Sequence, residues 1–326
     1  MNDVHLGVGF ALIAYLLWGF QPIYWKQLLD VNSYELILHR VVWSYPILLV
    51  FLALNGELKT YWTAITTWRT YKVYSVSALL LGINFFFSLW AVNAGHILQM
   101  SLGYFVNPLF SVLLGVVFLK ERLPMLQWVA IGIATVGVVI VTIGYGEFPW
   151  IALTIAAVFG FYGLVQKKAP LSGLVGCSVE LLLLFVPCLI ALLVLEGRGT
   201  GVFGHSDAST NWLIFGCGAA TILPQIAFVS CLKYITLSLL GIVQFVGPTI
   251  QTLVGVFMYD EDFGSMKLAG FICVWISLVI FTVDGLRAKA PEPIVDDAKV
   301  SDSCEDGTSS DNNSKAEYRG IVDARV

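Results

Sequence analysis

Apolar residues run along this chain in blocks of about twenty, separated by short polar breaks, and an α-helix of that length crosses the hydrocarbon core of a bilayer. Ten such blocks can be marked, at residues 6–25, 35–55, 73–94, 97–118, 125–144, 148–167, 175–195, 212–232, 238–258 and 267–286. The first lies close to the N-terminus, yet no Lys or Arg precedes it, and the bulky run YLLWGFQPIYW stands where a cleavage site would need small residues. It is expected to be a retained helix and not a signal peptide.

The blocks repeat. Phe105, Val106, Pro108, Leu113, Gly115, Val116 and Glu121 recur without a gap as Phe245, Val246, Pro248, Leu253, Gly255, Val256 and Glu261, an offset of 140 residues. The loop after the first copy reads Lys120-Glu121-Arg122 and the loop after the second reads Asp260-Glu261-Asp262. Lys and Arg are retained on the cytoplasmic side, so this change of sign is what two copies of opposite orientation would show. Five helices per copy, being an odd number, invert the second copy relative to the first.

Composition fits the same setting: 58% of residues are hydrophobic, 12% are charged, and the mean hydropathy is +0.82. A water-soluble domain could not bury so much apolar surface. The net charge of −4 belongs to residues 288–326, which hold nine of the 22 acids and five of the 18 bases. Runs such as SDSCEDGTSSDNNS lack the apolar residues that offset chain entropy, so this tail is expected to be disordered and acidic. Nothing in the balance of charge implies a nucleic-acid partner. With the N-terminus inside, the cytoplasmic connections hold Lys59, Arg69, Lys72, Lys120, Arg122, Lys167, Lys168, Lys233, Arg287 and Lys289, against Lys26, Arg198 and Lys267 outside. The expected architecture is all-α and integral to the membrane, with ten transmembrane helices as a 5+5 inverted repeat and both termini cytoplasmic. Residues 6–144 form the first repeat, 148–287 the second and 288–326 the tail.

Candidate chemistry lies on the repeated helices. In the fourth block Tyr104, Asn107 and Ser111 fall at spacings of three and four, one polar stripe on an apolar helix. At the 140 offset they become Gln244, Gly247 and Gln251. A stripe kept in both copies suits a substrate cavity at mid-membrane; the alternative is that these groups join helices by hydrogen bonds. Pro108 and Pro248 lie in the stripes, each removing a backbone donor, so a kink or hinge is expected at equivalent depth in both halves. Gly115 and Gly255 are expected to allow close helix contact.

The second block carries Glu35, His39 and Arg40. Glu35 and His39 share a face, while Arg40 points about 100° away. An intramembrane charge is expensive unless paired or solvated. The 140-offset counterpart of Arg40 is Glu180, and inverted topology would put Arg40 toward the outside and Glu180 toward the inside, as two charged gates or as simple headgroup anchors. Trp18 with Gln21, Tyr162 with Gln166, Asn84 with Ser88, and Gln225 complete the expected wall. A cavity of Trp, Tyr, Asn and Gln suits an amphipathic or zwitterionic organic molecule. No HExxH, P-loop, GxSxG or GxGxxG is present, the six cysteines have no paired spacing, and His5, His39, His96 and His205 form no metal-ligand cluster. Neither an enzyme nor a metal or cofactor site is expected.

The segments WGFQPIYWK, ILHRVVWS, AVNAGHILQMSLGYFVNPLF and FYGLVQKK, with GVVFLKERLPMLQWVAIGIATVGVVI, resemble the RarD branch of the EamA family in the drug/metabolite transporter superfamily. The resemblance covers about residues 6 to 287. It implies an inner-membrane permease that works by alternating access around a central cavity, commonly exporting small metabolites or toxic compounds. Its partners would be a small-molecule substrate and the lipid bilayer. Glu180, and after it His39, are the candidates for proton coupling. Proton-driven and downhill efflux both remain open, as do an importer of the same fold, a channel, and a membrane sensor or scaffold.

Overall fold

The computed structural model describes residues 3–93, 97–146, 148–260 and 264–287, and among them every regular element is a helix. The first half contains α1 (Asp3–Trp25), α2 (Ser33–Leu54), α3 (Leu58–Thr66), α4 (Trp68–Asn93), α5 (Ile97–Phe118) and α6 (Met125–Tyr145). The second contains α7 (Trp150–Lys168), α8 (Gly173–Gly197), α9 (Ala208–Cys231), α10 (Leu237–Gln244), α11 (Val246–Tyr259) and α12 (Ser265–Arg287). Eight helical stretches among the described residues are long and apolar enough to cross a membrane, α10 and α11 counting together as one; Leu102–Phe118 and Leu268–Phe281 are shorter apolar helices. One compact unit runs from Met1 to Gly285. The tail expected to be disordered, residues 288–326, lies outside the described residues, as do Glu261 and Asp262 of the acidic loop.

Local chemistry sets the helix ends. Asn32, Ser172, Asp207 and Thr236 each place a side-chain oxygen on a backbone N–H of the first turn that follows, starting α2, α8, α9 and α10. Gly146 stops α6 in the left-handed region, at φ 75°. Among the described residues the non-glycine positions with that backbone are Lys120, φ 54°, and Asp260, φ 50°, which end equivalent helices and are 140 positions apart.

Two details depart from the hydrophobic pattern. The connection between the second and third blocks holds α3, a short helix that buries Tyr61 and Ala64 and leaves Trp62 exposed. The ninth block is two helices. The two expected hinges differ in continuity: α5 runs through Pro108, whereas its counterpart breaks at Phe245. Pro248 cannot donate to the Gln244 carbonyl, and Gly247 beside it adds backbone freedom where α5 has Asn107. Phe245 N–H bonds to Ile242 instead, 3.2 Å, in a tighter turn.

Helix neighbours come in matched pairs. α1 packs on α9 and α7 on α4; α2 packs on α9 and α8 on α4; α5 packs on α7, and α10 and α11 on α1; α2 meets α8, and α5 meets α10. Small residues set the closest crossings, as in membrane bundles generally. A Cβ on Gly241 of α10 would come within 2.6 Å of the Pro108 carbonyl, and one on Gly137 of α6 within 2.7 Å of the Gly270 carbonyl on α12. The outer surface is apolar: Val50, Leu79, Phe257 and Val279 are all more than half exposed, which suits contact with lipid chains.

Candidate functional site

A cavity of about 1000 Å³, counted with the open space at its mouth, lies among helices of both halves. α1 presents Tyr15, Trp18 and Gln21 to it at spacings of three, one face of the helix. α2 adds Ile37 and Arg40; α4 adds Leu81, Asn84, Phe85 and Ser88; α5 adds Gly103, Tyr104 and Asn107. From the second half come Ile155 and Phe159 of α7, Thr221 and Gln225 of α9, Gln244 of α10, and Gly247, Pro248 and Gln251 of α11. On α1, α4, α2, α5 and α7 these positions fall in the half of the helix nearer the end where α1 finishes and α2 begins.

Aromatic rings form the apolar part of the wall. Trp18 lies 5.4 Å from Tyr15, 6.1 Å from Phe159 and 5.5 Å from Phe228, centroid to centroid, and Phe159 lies 5.7 Å from Tyr162. The polar part is stitched across helices. Gln21 Nε2 donates to the Ala220 carbonyl, 2.7 Å, Gln251 Nε2 to the Trp18 carbonyl, 3.1 Å, and Asn84 Nδ2 to the Ile155 carbonyl, 3.4 Å. Ser111 Oγ donates to Gln244 Oε1, 3.2 Å. These amides therefore join helices as well as facing the cavity. Asn107 Oδ1 is buried without a hydrogen-bond partner among the described residues.

Comparison with known proteins bears on what such a bundle does. The EamA-like transporter family matches residues 5–143. An "Uncharacterized transporter" of Vibrio cholerae serotype O1 is 39% identical over 88% of this chain and 95% of its own. The Bacillus subtilis "Uncharacterized transporter YojE" is 36% identical over 87% and 95%, and "Protein RarD" of Escherichia coli is 36% identical over 86% and 95%. This chain belongs to the RarD branch of the EamA-like transporters. A solved structure titled "Crystal structure of protein" shares the fold, with a TM-score of 0.66 and 15% identity over 87% of this chain and 99% of that one.

In this RarD-type transporter, nine of the twelve residues expected to line a cavity do line one: Trp18, Gln21, Asn84, Ser88, Tyr104, Asn107, Gln225, Gln244 and Gln251. Ser111 sits behind the wall, a turn beyond Asn107, and holds Gln244. Tyr162 and Gln166 are fully buried in a second polar cluster around Glu180. Both Glu180 carboxyl oxygens accept hydrogen bonds there: Oε1 from Ser77 Oγ and Gln166 Nε2, Oε2 from Tyr162 OH at 3.2 Å. Gln225, in the cavity wall, donates to the same Tyr162 hydroxyl at 2.5 Å. Side-chain hydrogen bonds thus run from the cavity to a carboxyl that is 1% exposed.

Arg40 and Glu180 make no ion pair. Arg40 faces the cavity, and Glu180 is buried against Tyr162 and lines no part of it. His39 lines no part of the cavity; its Nε2 lies 3.4 Å from Glu35 Oε1, its ring 5.3 Å from Phe203, and Glu35 also accepts from Val202 N–H at 2.7 Å. That pair ties α2 to the loop before α9. His205, exposed on the same loop, is held above its ordinary pKa by its hydrogen bond to Glu196. Of the two prolines, Pro248 lines the cavity and Pro108 does not. Among the described residues no three His, Cys, Asp or Glu gather as a metal site, and Cys177, Cys188, Cys217, Cys231 and Cys273 are free thiols.

Sequence reasoning overlooked several wall residues. Tyr15 precedes Trp18 by three and Thr221 precedes Gln225 by four, so helical spacing could have found both. Phe85 carried no signal within the run Phe85-Phe86-Phe87, and Ser77, which belongs to the Glu180 cluster and not to the wall, carried none either, its 140-offset counterpart being Cys217.

Proposed function

We propose that this protein is a carrier of the plasma (inner) membrane that exports a small organic molecule by alternating access, its ten spans arranged as two inverted repeats of five with both termini in the cytoplasm. The observation that carries the reading is the cavity itself, walled by polar and aromatic side chains from both halves and joined through Gln225 to the Tyr162 and Glu180 cluster. Three further observations support it. The most extensive helix contacts exchange when one half is swapped for the other. Lys120 and Asp260 share an unusual backbone at equivalent positions. Lys59, Lys72, Lys120, Lys167 and Lys233 fall near one set of helix ends, the set opposite the cavity, which makes the cavity outward-facing under the rule that bases stay inside.

Glu180 is the coupling group in this reading. A carboxyl inside the membrane with no cation beside it among the described residues is a place where a proton is taken up or released as access alternates, and Gln225 and Tyr162 link it to the cavity. Comparing metabolites in medium and cells with and without the protein would identify the substrate. Flux of that compound into proteoliposomes should then saturate and respond to a pH gradient. Linear flux to high concentration would indicate a channel, and saturable flux indifferent to the gradient would indicate downhill transport. Loss of the response in Glu180→Gln, with insertion intact, is the expected outcome.

A further inference from the structure

Among the described residues that line the cavity, Arg40 is the one of formal charge. Its Nε donates to the Thr221 hydroxyl at 3.0 Å, and that hydroxyl passes its own hydrogen to the Cys217 carbonyl at 2.8 Å. The guanidinium carbon sits 4.6 Å from the centre of the Trp25 ring and 5.5 Å from that of Phe85. The group is therefore held by one hydrogen bond and two aromatic rings, while its two terminal amino groups have neither a hydrogen-bond acceptor nor an Asp or Glu among the described residues.

A guanidinium presents paired N–H donors in a rigid fork that matches the two oxygens of a carboxylate. An intramembrane cation without a counter-charge is expensive, and a bound anion would supply the missing charge. Among the described residues no acid lines the cavity to receive an ammonium group. Beside the fork, the rings of Tyr15, Trp18 and Phe159 make an apolar bed for the rest of a molecule. The unpartnered Asn107 Oδ1 leaves room for one neutral hydrogen bond to that body.

We infer that the cavity selects an organic anion: a carboxylate gripped by the terminal amino groups of Arg40, attached to an aromatic or apolar body lying on the Trp18 and Phe159 rings. This narrows the amphipathic or zwitterionic class to compounds of net negative charge, and it rests on the carrier reading above.

The test uses the full purified chain and four probes of nearly equal shape: 3-phenylpropionate, its amide, 3-phenylpropylamine and phenylalanine. Titration calorimetry should give 3-phenylpropionate about ten- to a hundredfold tighter binding than the amide, the range for charge-assisted hydrogen bonds. The amine and the zwitterion should be weaker than 3-phenylpropionate. Arg40→Gln should abolish the preference for 3-phenylpropionate over the amide, and Arg40→Lys should retain part of it. Should Arg40→Gln fail to give a monodisperse protein, Thr221→Val decides: it should reduce the same preference severalfold. Equal binding of anion and amide, a preference that survives Arg40→Gln, or no binding of any probe would each overturn the inference. Counterflow in proteoliposomes separates it from the carrier reading. Anion-selective binding without counterflow sinks the carrier and leaves the site, whereas saturable amide flux without charge preference does the reverse.

Discussion

Glu180 and Arg40 occupy equivalent positions in the two halves, and the structure gives them different surroundings. Arg40 keeps free donors at a cavity surface, whereas both Glu180 oxygens are occupied by hydroxyl and amide donors. A glutamine at position 180 would keep the shape and one acceptor oxygen but could not carry a proton. Glu180→Gln should therefore fold, with a stability change of about 1 kcal/mol, and should lose gradient-driven flux while retaining downhill exchange. Thermal unfolding in detergent and paired flux assays with and without a pH gradient check the two halves of that statement. Retained gradient response would move the coupling function to another residue.

α10 shows how single positions act through a whole helix. Its first turn is fixed by Glu121, whose carboxylate accepts from Leu237 N–H at 2.7 Å, Ser238 N–H at 2.8 Å and Ser238 Oγ at 2.6 Å. Gly115 leaves the space that carboxylate occupies: a Cβ there would lie 2.5 Å from Glu121 Oε2. Lys167 closes the same end by donating to the Leu232 and Ile235 carbonyls, at 2.9 and 2.5 Å. Further along, Gly241 meets the Pro108 carbonyl, and the helix then breaks before Pro248 and places Gln244 at the cavity. Gly241→Val should push α10 off α5 and lower stability by about 1–3 kcal/mol, the usual range for overpacking. Gly132→Ala, at a position with nothing within 4 Å of the added methyl, should not lower the unfolding temperature. An unaltered Gly241→Val protein would show that the α5 and α10 contact yields freely.

At the scale of the whole molecule, the apolar outer surface and the matched helix neighbours describe a bundle built to sit in lipid, with its polar groups turned inward. The orientation proposed above predicts which ends meet the medium. In a cysteine-free background, Thr200→Cys should react with an impermeant maleimide on intact cells, because residue 200 lies at the end where α8 finishes. Lys59→Cys, on α3 at the opposite end, should react only after the membrane is opened. The reverse pattern would invert the topology and turn the cavity to the cytoplasm.

Helix positions were legible along the chain because a membrane span must be about twenty apolar residues long and must satisfy its own backbone. The 140-residue offset and the segregation of Lys and Arg came from the same source, being one-dimensional patterns. Spacing likewise found the polar stripe of Tyr104 and Asn107, since one helix face recurs every three or four residues. What the sequence could not decide was which faces meet. Trp18 with Gln21 and Tyr162 with Gln166 read as equivalent pairs, yet one faces the cavity and the other surrounds Glu180. Pro108 and Pro248 read as equivalent hinges, yet only one copy breaks. Partners such as Thr221 for Arg40 and Ser77 for Glu180 are 181 and 103 residues away in the chain. Only the packing of separate helices brings them within hydrogen-bond distance, and that packing leaves one of the two intramembrane charges open to a ligand and encloses the other.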